Sequence, residues 1–268
     1  MHKHKDLWAN GASYEYYIGR WSRLVARQFV AWLDIPPDGR WLDIECVTGI
    51  LSQTILDSTS PQAVLGIDSS EGYIEFARKQ IQDSRVSFRI GDAQLLPVES
   101  SAYNAALSGL ALNFIPKPAK ALSEMARVVC IGGTVAAYVW DYADQMQHIR
   151  YFWNAAVELD KTVLALDEGQ LFTLCQPEHL RQLFHGDAHQ LENVEVRPID
   201  VATTFSNFDD YWSPFLGGQG PAPSYAMSLS EEKRVALREQ IRLTLPIAAD
   251  GSIHLIARAW AVRGVRKN

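Results

Sequence analysis

The chain has 268 residues, of which 47% are hydrophobic and 21% charged, with eight tryptophans. That is enough apolar material for the core of one large domain and too much for disorder. A net charge of −6 and a pI near 5.6, with Lys and Arg scattered along the chain, argue against a broad nucleic-acid surface.

No run approaches the roughly 18 apolar residues of a membrane span, and the start "MHKHKDLWANG" lacks the apolar core of a secretory signal. The cysteines Cys46, Cys130 and Cys175 are odd in number and have no metal-ligand spacing. Reduced thiols in a cytoplasmic protein are expected, with no membrane and no nucleic acid as partner. In chain order, Tyr17, Trp21, Leu24, Val25, Phe29 and Trp32 recur at helical spacing, and "IPPDG" ends that helix. A regular alternation follows. "RWLDIEC", "AVLGID", "VSFRIGD", "YNAALSGL" and "GGTVAAYVWDY" read as strands. "GILSQTILDS", "SEGYIEFARKQIQ" and "KPAKALSEMARVV" read as helices between them. Such alternation predicts βαβ units, a mostly parallel sheet, and a ligand crevice at the carboxyl ends of the strands.

From about Ala143 the pattern changes. Residues 144–185 read as helical, with "MQHIRYFWNAAVELD" strongly amphipathic, and "LENVEVRPIDV" as a strand. "FSNFDDYWSPFLGGQGPAPSYAMSL" reads as a long aromatic-rich loop, whose Tyr211, Trp212 and Phe215 either pack a cap onto the sheet or wall a flat substrate. "SEEKRVALREQIRLTL" reads as a charged helix and "SIHLIARAWAVRG" as the closing strand.

Three acids fall at successive strand ends: Asp43 in the first, Asp68 ending the second and Asp92 just after the third. Each suits a helix N-cap. A carboxylate ending the second strand also suits both ribose hydroxyls of a nucleoside, and one after the third suits an adenine amine. The three together are a more specific pattern than any one.

The order "LDIECVTG", "LGIDSS", "RIGDAQLLP", "LSGLALNF" and "EMARVVCIGG" resembles the class I S-adenosylmethionine-dependent methyltransferases. The small-molecule branch, similar to the ubiquinone and menaquinone biosynthesis methyltransferases, is nearest. The resemblance runs over about residues 14–142. It implies an α/β, Rossmann-like, doubly wound sheet of seven strands, mostly parallel with an antiparallel last strand. It also implies one domain over 1–268, with a cofactor-binding core at 14–142 and substrate-side cap insertions at 144–185 and 203–250. Carried over by residue, Glu45, Cys46, Val47 and Gly49 would underlie the methionine and ribose parts of the cofactor. Asp68 and Ser69 would hold the ribose, Tyr73 would pack on the adenine, and Asp92 and Ala93 would meet its edge. Ser108 would lie next to the sulfonium centre, with Tyr17 and Arg20 over the methionine end. Catalysis by alignment needs no triad, so no catalytic base is assigned.

One departure bears on function. The family's turn reads Gly-Cys-Gly-Thr-Gly, and here its first two glycines are Glu45 and Val47. If either position takes a positive φ, a non-glycine residue there costs on the order of 1–2 kcal/mol. The usual Arg-Pro-Gly-Gly before the fifth strand reads Cys130, Ile131, Gly132, Gly133.

Two functions follow as expectations. One is a transferase moving a methyl from S-adenosylmethionine to an O, N or C nucleophile of a small, largely apolar metabolite, leaving S-adenosylhomocysteine, without a metal. The alternative is a non-catalytic ligand-binding or partner protein on the same fold. A nicotinamide-dependent dehydrogenase would need a full G-x-G-x-x-G turn, which is absent. His148 is either a base at the substrate mouth or a surface or core-edge residue. His179, His185 and His189 have no acidic ligand at metal spacing.

Overall fold

A computed structural model describes residues 15–186, 190–217 and 220–267. His189, residue 14 and the polar start read above lie outside the described residues. The sheet has seven strands: β1 (Arg40–Ile44), β2 (Ala63–Asp68), β3 (Val86–Ile90), β4 (Tyr103–Gly109), β5 (Val129–Trp140), β6 (Leu191–Phe205) and β7 (Ile253–Arg266). Their order is β3-β2-β1-β4-β5-β7-β6. β7 is antiparallel to both of its neighbours, and the pairs among β1 to β5 are parallel, as the sequence led one to expect.

Among the described residues the α-helices are α1 (Arg20–Leu33), α2 (Ile50–Ser58), α3 (Glu71–Gln80), α4 (Pro118–Val128), α5 (Gln147–Leu159), α6 (Glu168–Leu171), α7 (Pro177–Phe184), α8 (Phe208–Trp212), α9 (Pro221–Ser228) and α10 (Glu231–Thr244). Strand residues alternate between two apolar layers, which is why strands buried on both faces read as continuous apolar runs. Trp41 of β1 joins Val25 and Phe29 of α1 and Ile55 of α2 on one face. Leu42 and Ile44 join Leu122 and Met125 of α4 and Phe184 of α7 on the other.

Three segments differ from the sequence reading. The stretch taken as a long loop folds into α8, a 3-10 turn at Ser213–Gly217, and α9. Asn207 caps α8 by accepting the Asp210 N–H at 2.9 Å, and Pro221 starts α9 where a missing N–H costs nothing. Periodicity failed here because α8 is five residues long. β5 begins at Val129 rather than at the Gly-Gly pair, and Gly132 sits inside it at φ +75 near a shift in the β4 register. β6 runs on to Phe205, so Thr203–Phe205 are strand residues.

Candidate functional site

The chain order reverses across β1 and β4, since β2 and β3 lie on one side of β1 and β4 and β5 on the other. At such a switch point the loops leaving the two strands diverge and open a crevice. The loop leaving β1 carries Glu45, Cys46, Val47 and Thr48, and β4 ends in Ser108 and Gly109. A cavity of about 20 Å³ lies between them, lined also by Asp43, Leu110, Tyr138 and Ser22 of α1.

The backbone here is strained. Glu45 has φ +54, Val47 φ +50 and Leu110 φ +60, all left-handed without being glycine. Such residues cost about 1–3 kcal/mol each and persist where surrounding contacts over-determine them. The contacts are visible. Cys46 N–H donates to Ile67 O at 3.0 Å, and Val47 N–H to Asp68 Oδ2 at 3.0 Å. Gly49, at φ +84, closes the turn with its N–H on Cys46 O at 2.8 Å. A Cβ on Gly49 would lie 2.6 Å from Ile81 Cδ1, so this glycine serves both the turn and the helix packing.

Asp68 is buried and tied to both loops, its Oδ1 accepting the Ser70 N–H at 2.8 Å. Asp43 is buried, and its Oδ2 accepts from Ser52 Oγ at 2.6 Å. Among the described residues its Oδ1 is buried with no hydrogen-bond partner, and burial pushes its pKa up to about 7. The Ser108 hydroxyl is likewise buried without a partner. Unpaired buried polar atoms are uncommon; Asp43 lines the cavity, and Ser108 precedes Gly109, which also lines it.

The other residues read as site candidates distribute as follows. Ser69 is half-buried beside Asp68, and Tyr73 is buried on α3. Asp92 is exposed, with Oδ1 accepting from Gln94 N–H at 2.8 Å, so the N-cap-like use of this acid is present. Ala93 is buried next to it. The register Asp68 with Ile90 keeps Asp92 on the strand exit adjoining Asp68. Tyr17 and Arg20 face the residues that follow β5. Tyr17 is buried with its ring 5.8 Å from His148 and 5.7 Å from Phe215. Arg20 Nη1 pairs with Asp210 at 3.1 Å, and its guanidinium lies over Trp21 and Phe205.

His148 is buried among Tyr17, Phe205, Tyr211 and Phe215, and burial lowers its pKa to about 3. It is a fully buried core histidine, at neither the surface nor the core edge, where the sequence reading had put it as the alternative to a base. Among the described residues, no group of three or more His, Cys, Asp or Glu is placed to hold a metal, and the three cysteines are free. Sequence reasoning passed over Ser22, Leu110 and Tyr138. Nothing in their local pattern announces a site, and only the pairing of β4 with β1 and β5 brings them to the turn.

A family model described as a methyltransferase domain matches residues 42–137. A demethylmenaquinone methyltransferase of Symbiobacterium thermophilum is 32% identical over 122 residues, covering 43% of this chain and 47% of that protein. The chain thus spans less than half the length of that relative. Among solved structures, a SAM-dependent methyltransferase of Thermotoga maritima aligns over 100% of both chains at TM-score 0.55 and 19% identity. A Haemonchus contortus phosphoethanolamine N-methyltransferase 2, in complex with S-adenosyl-L-methionine, aligns over 96% of this chain and 57% of that one, at TM-score 0.58 and 15% identity. No helix among the described residues is long and apolar enough to cross a membrane. Residues 42–137 are thus similar to a methyltransferase domain, set in a sheet of order β3-β2-β1-β4-β5-β7-β6.

Proposed function

We propose that the chain transfers a methyl group from S-adenosylmethionine to an O, N or C nucleophile of a small, largely apolar metabolite, and releases S-adenosylhomocysteine. The observation that carries this is the crevice at the β1/β4 switch point, where left-handed Glu45, Val47 and Leu110 line one cavity with Asp43, whose Oδ1 has no hydrogen-bond partner among the described residues. The residues present fit the cofactor. Asp68 and Ser69 take the ribose, and the turn of Glu45, Cys46, Val47 and Gly49 supports the methionine side. Tyr73, Asp92 and Ala93 serve the adenine side. Bound there, the cofactor supplies an electrophilic methyl on a sulfonium, and the protein's part is to hold the acceptor close and in line. The segments 144–185 and 203–250 act as the cap that selects the acceptor. Their buried aromatics, Phe152, Trp153, Tyr211 and Phe215, favour an apolar partner.

Titration calorimetry with S-adenosylmethionine and S-adenosylhomocysteine tests this, with micromolar binding expected for both in the presence of a chelator. No heat up to millimolar cofactor, with the protein folded, overturns it. A second reading, a non-catalytic binding or partner protein on this fold, is favoured by the side chains that Glu45 and Val47 carry at left-handed positions beside the cavity. Glycine at both positions separates the two. Unchanged cofactor affinity removes the motive for the second reading.

A further inference from the structure

Most walls of the cavity at the β1/β4 switch point are fixed in strands and helices. Ser22 stands on α1, Asp43 on β1, Ile50 and Leu51 on α2, Gly109 on β4 and Tyr138 on β5. Leu110 follows β4 directly, with its N–H on Tyr138 O at 2.8 Å. The remaining wall is the loop of residues 45–48, and the space enclosed is about 20 Å³. That is room for about one water, whereas small-molecule pockets run to about 300 Å³ or more. A cofactor whose methionine side lies on this turn enters only if the loop moves.

The hydrogen bonds of the loop show what such a movement has to break. Cys46 N–H donates to Ile67 O at 3.0 Å, and Gly49 N–H closes back on Cys46 O at 2.8 Å, both from backbone to backbone. Val47 N–H goes instead to a side chain, Asp68 Oδ2, at 3.0 Å. Asp68 is the acid assigned above to the ribose. Of these bonds, only the one from Val47 ends on a group that the cofactor also takes.

The same residue carries the strain. Val47 has φ +50, two positions after Glu45 at φ +54, and a β-branched side chain is the least suited to that region. Such a residue stays left-handed only while its contacts hold it there. When the bond to Asp68 goes, the loop relaxes, and the strain released offsets part of what the bond contributed.

We propose that residues 45–48 form a strained gate over the cofactor site, latched by Asp68, and that the ribose of the cofactor opens it by taking Asp68 Oδ2 from the Val47 N–H. This gives the site of the methyl-transfer reading its regulation and rests on that reading for the ligand. Strain at residue 47 then favours binding, because opening releases it. Glycine is unstrained when left-handed, so it stabilises the closed loop and lowers the fraction of open molecules. A glycine at residue 47 therefore weakens cofactor binding, the reverse of what a side chain that merely obstructs the site would give.

Val47→Ala and Val47→Gly are the pair to compare, since both lack the isopropyl group. In calorimetric titration with S-adenosylhomocysteine, the alanine variant is expected to bind about two- to fivefold more tightly than the glycine variant. Equal affinity, or tighter binding by the glycine variant, overturns the gate. The latch is read without ligand, by thermal unfolding. With Asp68 in place Val47→Gly melts above Val47→Ala, and in an Asp68→Ala background that advantage disappears. An advantage that persists without Asp68 overturns the latch. If Asp68→Ala does not fold, the titration still decides. No heat from the wild type or either variant refutes the cofactor reading and the part of the ribose in opening, while the unfolding comparison judges the latch separately.

Discussion

Val47 offers the sharpest test of the turn. Its φ of +50 lies in a region that costs an L-residue roughly 1–2 kcal/mol and costs glycine nothing. Replacing Val47 by glycine alone confounds that strain with loss of a half-buried isopropyl group. The comparison to make is Val47→Gly against Val47→Ala, since both lack that group. Glycine returns about 0.4–1 kcal/mol through the entropy of the unfolded chain. The glycine variant should then be more stable than the alanine variant by roughly 0.5–1 kcal/mol, or about 1–4 °C in melting temperature for a chain of this size. Ala236, exposed in the middle of α10, is the control. There the order inverts, and Ala236→Gly should cost about 1 kcal/mol. Thermal and urea unfolding of the four proteins measures both differences. If Val47→Gly melts at or below Val47→Ala, residue 47 is not held left-handed in solution and the strain argument for this crevice fails.

Other outcomes follow from the packing and the buried charges. Asp43 has a folded pKa of about 7 against an ordinary 3.8, so the folded state holds a proton that the unfolded chain has released. Asp43's contribution to stability is greatest below about pH 4 and is lost as pH rises through the window to 7, by about 4 kcal/mol. Asp43→Asn should match wild type in urea at pH 4 and exceed it at pH 8; parallel pH profiles would refute this. His148 works in the opposite direction. It is neutral in the fold, with a pKa lowered to about 3, so its contribution is lost as pH falls from 6.5 towards 3, and His148→Phe should flatten that acid limb. Arg150→Ala leaves Asp167 buried without its cation and should cost about 3–5 kcal/mol in chemical denaturation. Phe215→Ala should cost about 3–5 kcal/mol, because Phe215 is fully buried and stacked on Phe152 at 4.5 Å. A loss under 1 kcal/mol would mean that the aromatic cluster does not hold the segments after β5 to the sheet.

The parallel sheet was legible because its strands are short apolar runs set between amphipathic helices. "AVLGID" followed by "SEGYIEFARKQIQ" can bury its surfaces in few other ways. The acids at strand ends were legible for the same reason, since a strand's end fixes where its last side chain stands. The helices in residues 205–229 were not legible. They are short turns whose stability comes from rings packed against α5 rather than from a repeating pattern. Nor could periodicity distinguish Asp167 from Glu168, neighbours that face different partners.

By itself, the sequence determined the alternation of strands and helices and the three acids at successive strand ends, because local periodicity and side-chain chemistry act over a few residues. Tertiary structure alone decided that Glu45, Val47 and Leu110 share one strained cavity. Backbone conformation there is imposed by bonds to Ile67, Asp68 and Tyr138 on neighbouring strands, and overrides what each residue would adopt alone. It alone also decided that Arg150 answers Asp167 and leaves Glu168 with an indole, since burial and pairing depend on elements distant in the chain.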